Sequence, residues 1–208
     1  MNCTVIDHPL VQHKLALLRD ENTGSKEFRE LVGETAMLIC YEAMRDLPTQ
    51  DTQVKTPFGT ADARLISGKK LALVPIMRSG LGMVDGIMKA IPAAKVGHIG
   101  TFRDPYTADT TEYYCKLPSD MKHRIAIIAD ICIATGGAAC EAIRLVKNAG
   151  CTDIRYLSIV ATEQGIDHIN AAHPDVRVYT AAVDSGLNED MFVVPGIGDS
   201  GARMYGTR

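Results

Sequence analysis

The sequence lacks several features that would assign it to a particular class of protein. None of its 208 residues belongs to an apolar run near the roughly 20 residues that a membrane-spanning helix needs. Its N-terminus carries Asp7 and His8 where a secretory signal has a basic start and an apolar core. Internal repeats, low-complexity tracts and a Ser/Pro-rich linker are also missing. We therefore expect a single domain over residues 1–208, a cytoplasmic location and no membrane partner.

Signatures of metal and nucleic-acid binding are equally scarce. The six cysteines form no CxxC pair and the six histidines are scattered, so we expect reduced thiols and no metal site made by the protein alone. The formal charge of -3 argues against non-specific binding of nucleic acid. We predict no nucleic-acid partner.

What the sequence does contain is the alternation typical of an α/β protein, at a length that suits one large domain. A long amphipathic helix is predicted over 25–46, with Ser25 as its cap. Beyond it, strands are predicted at 71–77, 95–102, 124–130, 154–161 and 176–183, and helices at 80–91, 137–149 and 163–172. Continuous apolar strands separated by helices predict a parallel sheet covered by helices on both faces.

Ligands bind beyond the carboxyl ends of the strands in such sheets, and four loops are expected there: 77–80, 102–118, 130–138 and 184–201. In the first loop, Arg78 precedes two small residues and a helix start, which suits an anion. A solvated arginine at a helix cap is the alternative. The second loop begins with Arg103 and is long and polar, as in active-site lids or disordered connections.

The third loop combines an acid with a glycine-rich turn. Asp130 ends a buried strand with no lysine or arginine beside it in sequence, and Thr135-Gly136-Gly137-Ala138 directly precedes a helix. The backbone amides of such a turn can bind a phosphate, although the lysine of a Walker A motif is missing. The carboxylate can accept hydrogen bonds from sugar hydroxyls or stabilise a developing cation. A strand-end aspartate that caps the turn is the alternative.

The fourth loop contains a misleading motif. Residues 196–201 match GxGxxG, but a dinucleotide site also requires a following helix, another strand and a distant acid. Only seven residues follow Gly201, so we reject the dinucleotide interpretation. The glycine-rich C-terminus can instead bring its backbone close to a small planar ligand.

Seven motifs occur in a series along nearly the whole chain. They are DHPL at 7–10, PIMRSGLGM at 75–83, GHIGTFRDPYT at 97–107, EYYCKLP at 112–118, ATGG at 134–137, DSGLN at 184–188 and VPGIGDSGARMYGT at 194–207. With these motifs, the chain resembles the uracil phosphoribosyltransferase family. The resemblance implies a phosphoribosyltransferase fold with an N-terminal helical segment and a C-terminal uracil-binding loop region.

The resemblance also implies an activity: transfer of the phosphoribosyl group of 5-phosphoribosyl-1-diphosphate to uracil, giving UMP and diphosphate in pyrimidine salvage. Arg78, Arg103 and Asp130 would be the catalytic residues, with both arginines on the diphosphate side. The ribose and 5′-phosphate would be held by Asp130, Ile131, Cys132, Ile133, Ala134, Thr135, Gly136, Gly137 and Ala138. Uracil would lie among Val193, Gly198, Asp199 and Ser200, with Asp199 also facing the donor. Mg²⁺ would arrive with the diphosphate, the protein would be a homodimer or larger homo-oligomer, and GTP could act as an effector.

The chain departs from the family pattern within the phosphoribosyl motif. Ile131-Cys132-Ile133 stand where Pro-Met-Leu is usual, and Ala138 stands where the family usually has a serine. One lost hydroxyl removes at most one hydrogen bond to a phosphate, while the backbone amides remain. The sequence leaves two other interpretations open: a nucleotide- or RNA-binding regulator on the same fold, and a weakly active paralogue.

Overall fold

A computed structural model of the chain describes residues 2–103 and 110–207. Its helices are α1 (Pro9–Arg19), α2 (Ser25–Ala43), α3 (Leu81–Ala90), α4 (Gly137–Asn148), α5 (Glu163–Ala172) and α6 (Ser200–Tyr205). Its strands are β1 (Cys3–Val5), β2 (Thr49–Thr56), β3 (Gly59–Ile66), β4 (Lys70–Met77), β5 (Lys95–Val96), β6 (His98–Arg103), β7 (Thr110–Lys116), β8 (Arg124–Ala129), β9 (Cys132–Ile133), β10 (Asp153–Leu157), β11 (Val160–Thr162), β12 (Arg177–Thr180), β13 (Ala182–Asp184), β14 (Gly186–Leu187) and β15 (Val193–Val194). A short 3-10 helix spans Met121–His123.

The main sheet has the strand order β1-β12-β10-β8-β4-β6-β7, and β5 also pairs with β4. Every pairing in it is parallel except that of β6 with β7. The carboxyl ends of β4 and β8, at the centre, therefore lie side by side. The predicted parallel sheet is confirmed, and its central edge is where a ligand site is expected.

Helices cover both faces of this sheet because alternate apolar residues of each strand point to opposite sides. In β8, Ile127 packs into the cluster made with α1, α2 and α3, whereas Ile128 packs into the cluster made with α4 and α5. Strands buried on both faces explain the continuous apolar runs of the sequence. None of the helices formed by the described residues combines the length and the apolar character that crossing a bilayer requires.

Three strands that the sequence predicts as continuous are interrupted. The predictions 95–102, 154–161 and 176–183 become β5 with β6, β10 with β11 and β12 with β13, whereas β8 ends at Ala129 and β9 follows within the predicted third loop. The short strands β9, β11 and β13 form a separate parallel sheet in the order β13-β11-β9. Backbone bonds shift at the break, since Ile159 N donates to Ile131 O (2.9 Å). Ser158 and Ile159 lie between β10 and β11 and Ala181 lies between β12 and β13; all three are buried within apolar runs, so hydropathy shows little sign of the interruption.

Four other details differ from the sequence-based expectation. Residues 110–116, expected within a loop, form β7, antiparallel to β6. The polar stretch between 49 and 66, for which no structure was predicted, is the antiparallel hairpin β2–β3. The edge strand β1 was also not predicted. The cap of α2 is Gly24 instead of Ser25, which is the first helical residue.

Candidate active site

Asp130 lies at the carboxyl end of β8 and is 8 % exposed. One carboxylate oxygen, Oδ1, accepts hydrogen bonds from the Ser79 hydroxyl (2.6 Å) and the Ile131 amide (2.8 Å). Burial raises the pKa of Asp130 to about 6, although both hydrogen bonds favour the charged form. Within the described residues, the other oxygen, Oδ2, has no hydrogen-bond partner. The carboxylate is thus held rigidly by one oxygen while the second remains available to a ligand.

The glycine-rich turn follows Asp130 and leads into α4. Gly136 has the left-handed φ of 84°, and a Cβ there would lie 2.7 Å from the carbonyl oxygen of Gly165. Only glycine therefore allows the turn to pack this closely against α5. The Thr162 hydroxyl donates to Ala134 O (2.6 Å), and a ring nitrogen of His168 lies 2.9 Å from Thr135 O. These contacts occupy carbonyl groups of the turn and leave the amides at the start of α4 to an anion.

A cavity of about 310 Å³ opens between Asp130 and this turn. Its lining includes most of the predicted phosphoribosyl residues: Asp130, Cys132, Ile133, Ala134, Thr135, Gly136 and Ala138. It also includes Thr101, Thr110, Ala139, Tyr156, Asp190 and Met191, which the sequence did not single out. Ile131 is fully buried beside the cavity, and Gly137 approaches the Thr110 hydroxyl.

Arg78 and Asp199 come from distant parts of the chain and approach the same point. A Cβ added at Gly201 would lie 3.4 Å from Asp199 Oδ1 and 3.8 Å from Arg78 Nη2. Asp199 caps α6, since Oδ1 accepts from Ala202 N (2.9 Å), and the Tyr205 hydroxyl donates to Arg78 O (2.9 Å). The helix α6 therefore connects the first loop with the C-terminal loop.

Ser200 of this C-terminal loop lies near Cys132, one of the predicted phosphoribosyl residues, because its side chain lowers the pKa of the Cys132 thiol. Burial raises the pKa of that thiol to about 12, so Cys132 stays neutral. The two groups of predicted residues, sugar-phosphate and base, are thus adjacent.

A buried ion pair fixes the loop between Val193 and Gly198. Arg19, at the end of α1, binds both carboxylate oxygens of Asp184 (2.6 and 2.8 Å) and also donates to Gly196 O (2.7 Å). Asp184 in turn accepts from Gly196 N (2.9 Å). Gly196 and Gly198 both have left-handed φ values, 59° and 73°. This loop is therefore set by long-range side-chain contacts as well as by its glycines.

The structure brings together the predicted residues of the first, third and fourth loops. The side chain of Arg103 and residues 104–109 of the predicted lid lie outside the described residues. Sequence reasoning missed Ser79, Arg19 and Tyr156. The signal for Ser79 was present, since it lies next to Arg78 in a predicted binding loop, but nothing local marks the other two.

The described residues contain no group of three or more His, Cys, Asp or Glu side chains placed to hold a metal ion. Asp130 and Asp199 are carboxylates from different loops, and both lie close enough to Cys132 to raise the pKa of its thiol. Such an arrangement fits Mg²⁺ that brings its phosphate ligands with it better than a metal caged by protein, because Mg²⁺ commonly binds through one or two carboxylates and substrate phosphates.

The fold and this edge of the sheet together define a class, the proteins with the phosphoribosyltransferase fold. Adenine phosphoribosyltransferase from Trypanosoma brucei has the same fold, with a TM-score of 0.60 at 14 % identity over 91 % of this chain and 87 % of that one. The AQ2163 protein from Aquifex aeolicus is far more similar, with a TM-score of 0.93 at 29 % identity over 99 % and 98 % of the two chains.

Comparison of sequences then gives the family. The family model described as uracil phosphoribosyltransferase matches residues 5–207. Proteins named uracil phosphoribosyltransferase from Thermoanaerobacter sp. (strain X514) and Halalkalibacterium halodurans are 56 % and 54 % identical, and the matches cover 98 % or more of each chain. The chain therefore belongs to the uracil phosphoribosyltransferase family.

Proposed function

We propose that this protein transfers the phosphoribosyl group of 5-phosphoribosyl-1-diphosphate to uracil, forming UMP and releasing diphosphate. Family membership supports the reaction, and one observation carries the assignment of the site. A buried carboxylate, one oxygen of which has no hydrogen-bond partner among the described residues, lies beside a glycine-rich helix start, and both line one cavity together with Asp190 and Met191.

Asp130 and the cradle from Ile131 to Ala138 would position the sugar. The free Oδ2 of Asp130 accepts a hydrogen bond from a ribose hydroxyl, and the amides at the start of α4 bind the 5′-phosphate. As the bond from C1 to diphosphate breaks, positive charge develops on the ribose. The ionised carboxylate nearby stabilises that charge, and burial strengthens the effect because water does not screen it.

The departing diphosphate requires positive charge near it. Arg78 lies close to Asp199, and we assign Arg78 and Arg103 to this task from the family resemblance. When bound, Mg²⁺ supplies further positive charge to the departing diphosphate. Asp199 lies near Arg78, and with Asp130 it would face that ion.

Uracil would be recognised by backbone groups around Val193 and Gly198 to Ser200. These groups present donors and acceptors to the edge of the base without side-chain bulk. A base with the wrong edge would leave them unpaired, which lowers its binding. We assign none of the described residues as a general base for uracil N1. His98, the histidine considered for this role, lies within β6.

The test is a steady-state assay with uracil, phosphoribosyl diphosphate and Mg²⁺. We expect UMP and diphosphate to form in equal amounts with wild-type protein, and no product above background with Asp130→Ala. The matched control is Asp167→Ala, an exposed carboxylate of α5. Equal rates for Asp130→Ala and wild type would exclude Asp130 from the reaction, and absence of UMP from the wild-type assay would contradict the proposed function.

We also propose a homo-oligomer in which the β2–β3 hairpin takes part. The hairpin projects from the domain with Phe58 fully exposed at its turn and Val54, Leu65 and Ile66 exposed along it. Exposed apolar side chains on a protruding ribbon favour association with another surface. Sedimentation velocity should show a dimer or larger species for wild type and a shift toward monomer for Phe58→Lys. A monomeric wild type would refute the proposal.

Two further expectations follow from the family resemblance and the thiols. GTP is expected to act as an effector, and titration of GTP into the assay at low phosphoribosyl diphosphate should raise the rate. All six cysteines are free, four of them at least partly exposed to solvent, as suits a reducing cytoplasm. Fractionation of cells that express the protein would test the location.

A further inference from the structure

Tyr156 is a buried residue that brings a hydroxyl into an otherwise apolar cluster. It lies in β10, directly beside Ile128 of β8, and only 1 % of its surface is exposed. Its ring packs in the apolar cluster beneath α4, together with Ala139 and Ile143. A phenylalanine would satisfy this packing, so the cluster gives no reason for the hydroxyl.

The hydroxyl has no hydrogen-bond partner within the described residues, and its oxygen is not completely enclosed by protein although the residue is almost fully buried. Such a hydroxyl is available to a ligand that approaches from its open side. Tyr156 lines the cavity of the phosphoribosyl cradle, alongside Thr135, Gly136 and Ala138. The partner is therefore expected within that cavity.

The chemistry of the cradle indicates which partner this is. Thr135 and Ala138 flank the two glycines, and Ala138, in the first turn of α4, offers no hydroxyl. Burial and the nearby Asp130 carboxylate both raise the pKa of Tyr156, so its hydroxyl keeps its proton and acts as a donor. A neutral donor below a helix N-terminus suits an anionic oxygen.

We propose that the Tyr156 hydroxyl is a further substrate-binding group, which donates a hydrogen bond to the 5′-phosphate from below the cradle. It supplies the side-chain donor that Ala138 cannot. This inference rests on the proposed function, because it takes the cradle of residues 131–138 as the 5′-phosphate site.

The test uses Tyr156→Phe, which keeps the ring and removes only the hydroxyl. A hydrogen bond to a charged group corresponds to roughly a tenfold to a hundredfold change in affinity. We expect the Kd of UMP and the KM of phosphoribosyl diphosphate to rise at least tenfold, while the KM of uracil and the inhibition constant of uridine, which has no phosphate, change less than twofold. The control is Tyr179→Phe, because Tyr179 lies in the neighbouring strand but packs on the opposite face of the sheet.

A rescue variant separates this role from a structural one. Adding Ala138→Ser to Tyr156→Phe places a hydroxyl at the other side of the same cradle and should recover most of the UMP affinity. Equal loss of UMP and uridine binding, or a lower melting temperature without recovery in the double variant, would show that the hydroxyl acts through the fold.

Thr135→Val distinguishes failure of this inference from failure of the proposed site. If Thr135→Val weakens UMP binding but Tyr156→Phe does not, the Tyr156 proposal is wrong and the cradle assignment stands. If neither variant changes UMP binding, neither hydroxyl contacts the phosphate and the Tyr156 proposal is wrong, whereas absence of UMP from the wild-type assay would contradict the proposed function itself.

Discussion

Replacing Asp130 with asparagine should make the protein more stable at neutral pH while abolishing transfer. Asparagine keeps an oxygen that can accept the hydrogen bonds of Ser79 and of the Ile131 amide, but it carries no charge. The pKa of Asp130 is raised from 3.8 to about 6 by burial. Between these values the folded state binds more protons than the unfolded state, so the stability of wild type falls as pH rises.

The size of the effect follows from the pKa shift. About two pKa units at 1.36 kcal/mol each correspond to roughly 3 kcal/mol of unfolding free energy, lost from wild type at pH 8 and absent from Asp130→Asn. At pH 4.5 wild type recovers most of this stability, because the carboxyl of Asp130 is then protonated in the folded state. The gain in stability from Asp130→Asn should therefore be larger at pH 8 than at pH 4.5 by roughly 2 kcal/mol.

Urea unfolding of both proteins at the two pH values is the assay, and Asp167→Asn on the surface of α5 is the control. A gain of the same size at both pH values would refute the reasoning, since it would show that Asp130 is not held as a buried charge. Transfer activity must be lost in the same stable variant. An active Asp130→Asn would remove the ionised carboxylate from the mechanism.

Three other substitutions test parts of the site. Ser79→Ala removes a hydrogen bond that lowers the pKa of Asp130. When kcat/KM for phosphoribosyl diphosphate is measured against pH, the acidic limb should therefore move to higher pH. An unchanged limb would refute this. Arg19→Met leaves Asp184 buried without its cation, which should lower the unfolding free energy by about 2–4 kcal/mol. It should also raise the KM of uracil more than the KM of the donor. Equal changes in the two KM values would contradict the assignment. Gly136→Ala brings a methyl group against Gly165 O at a left-handed φ, so thermal unfolding should show a loss of about 2 kcal/mol in the free energy of unfolding. Activity assays should show a higher KM of the donor. Unchanged stability would exclude this close packing.

The parallel sheet could be predicted from the sequence because its signals are local. Strands such as β4 and β8 are continuous apolar runs, and α5 was predicted with the observed limits, 163–172. The hairpin β2–β3 was missed because both strands are polar and exposed, so neither carries the alternation that marks a half-buried strand. The breaks between β10 and β11 and between β12 and β13 were missed for the opposite reason, since Ser158, Ile159 and Ala181 are buried within apolar runs.

The candidate site was predictable where its functional residues are close together in sequence, as in Asp130 and the turn at 135–138. It was not predictable where it depends on contacts across the chain. Arg19 lies 165 residues from Asp184, and its role as an anchor appears only when α1 packs near the C-terminal loop. Tyr156 reads as one more apolar residue of β10, and only the fold places it under the cradle.

A crystal structure with UMP bound tests the central claim most directly. We expect the 5′-phosphate on the amides of residues 135–138, a ribose hydroxyl on Asp130 Oδ2, and the edge of uracil on backbone groups between Val193 and Ser200. A nucleotide bound in the reverse orientation, or outside the cleft between the cradle and the C-terminal loop, would contradict the account.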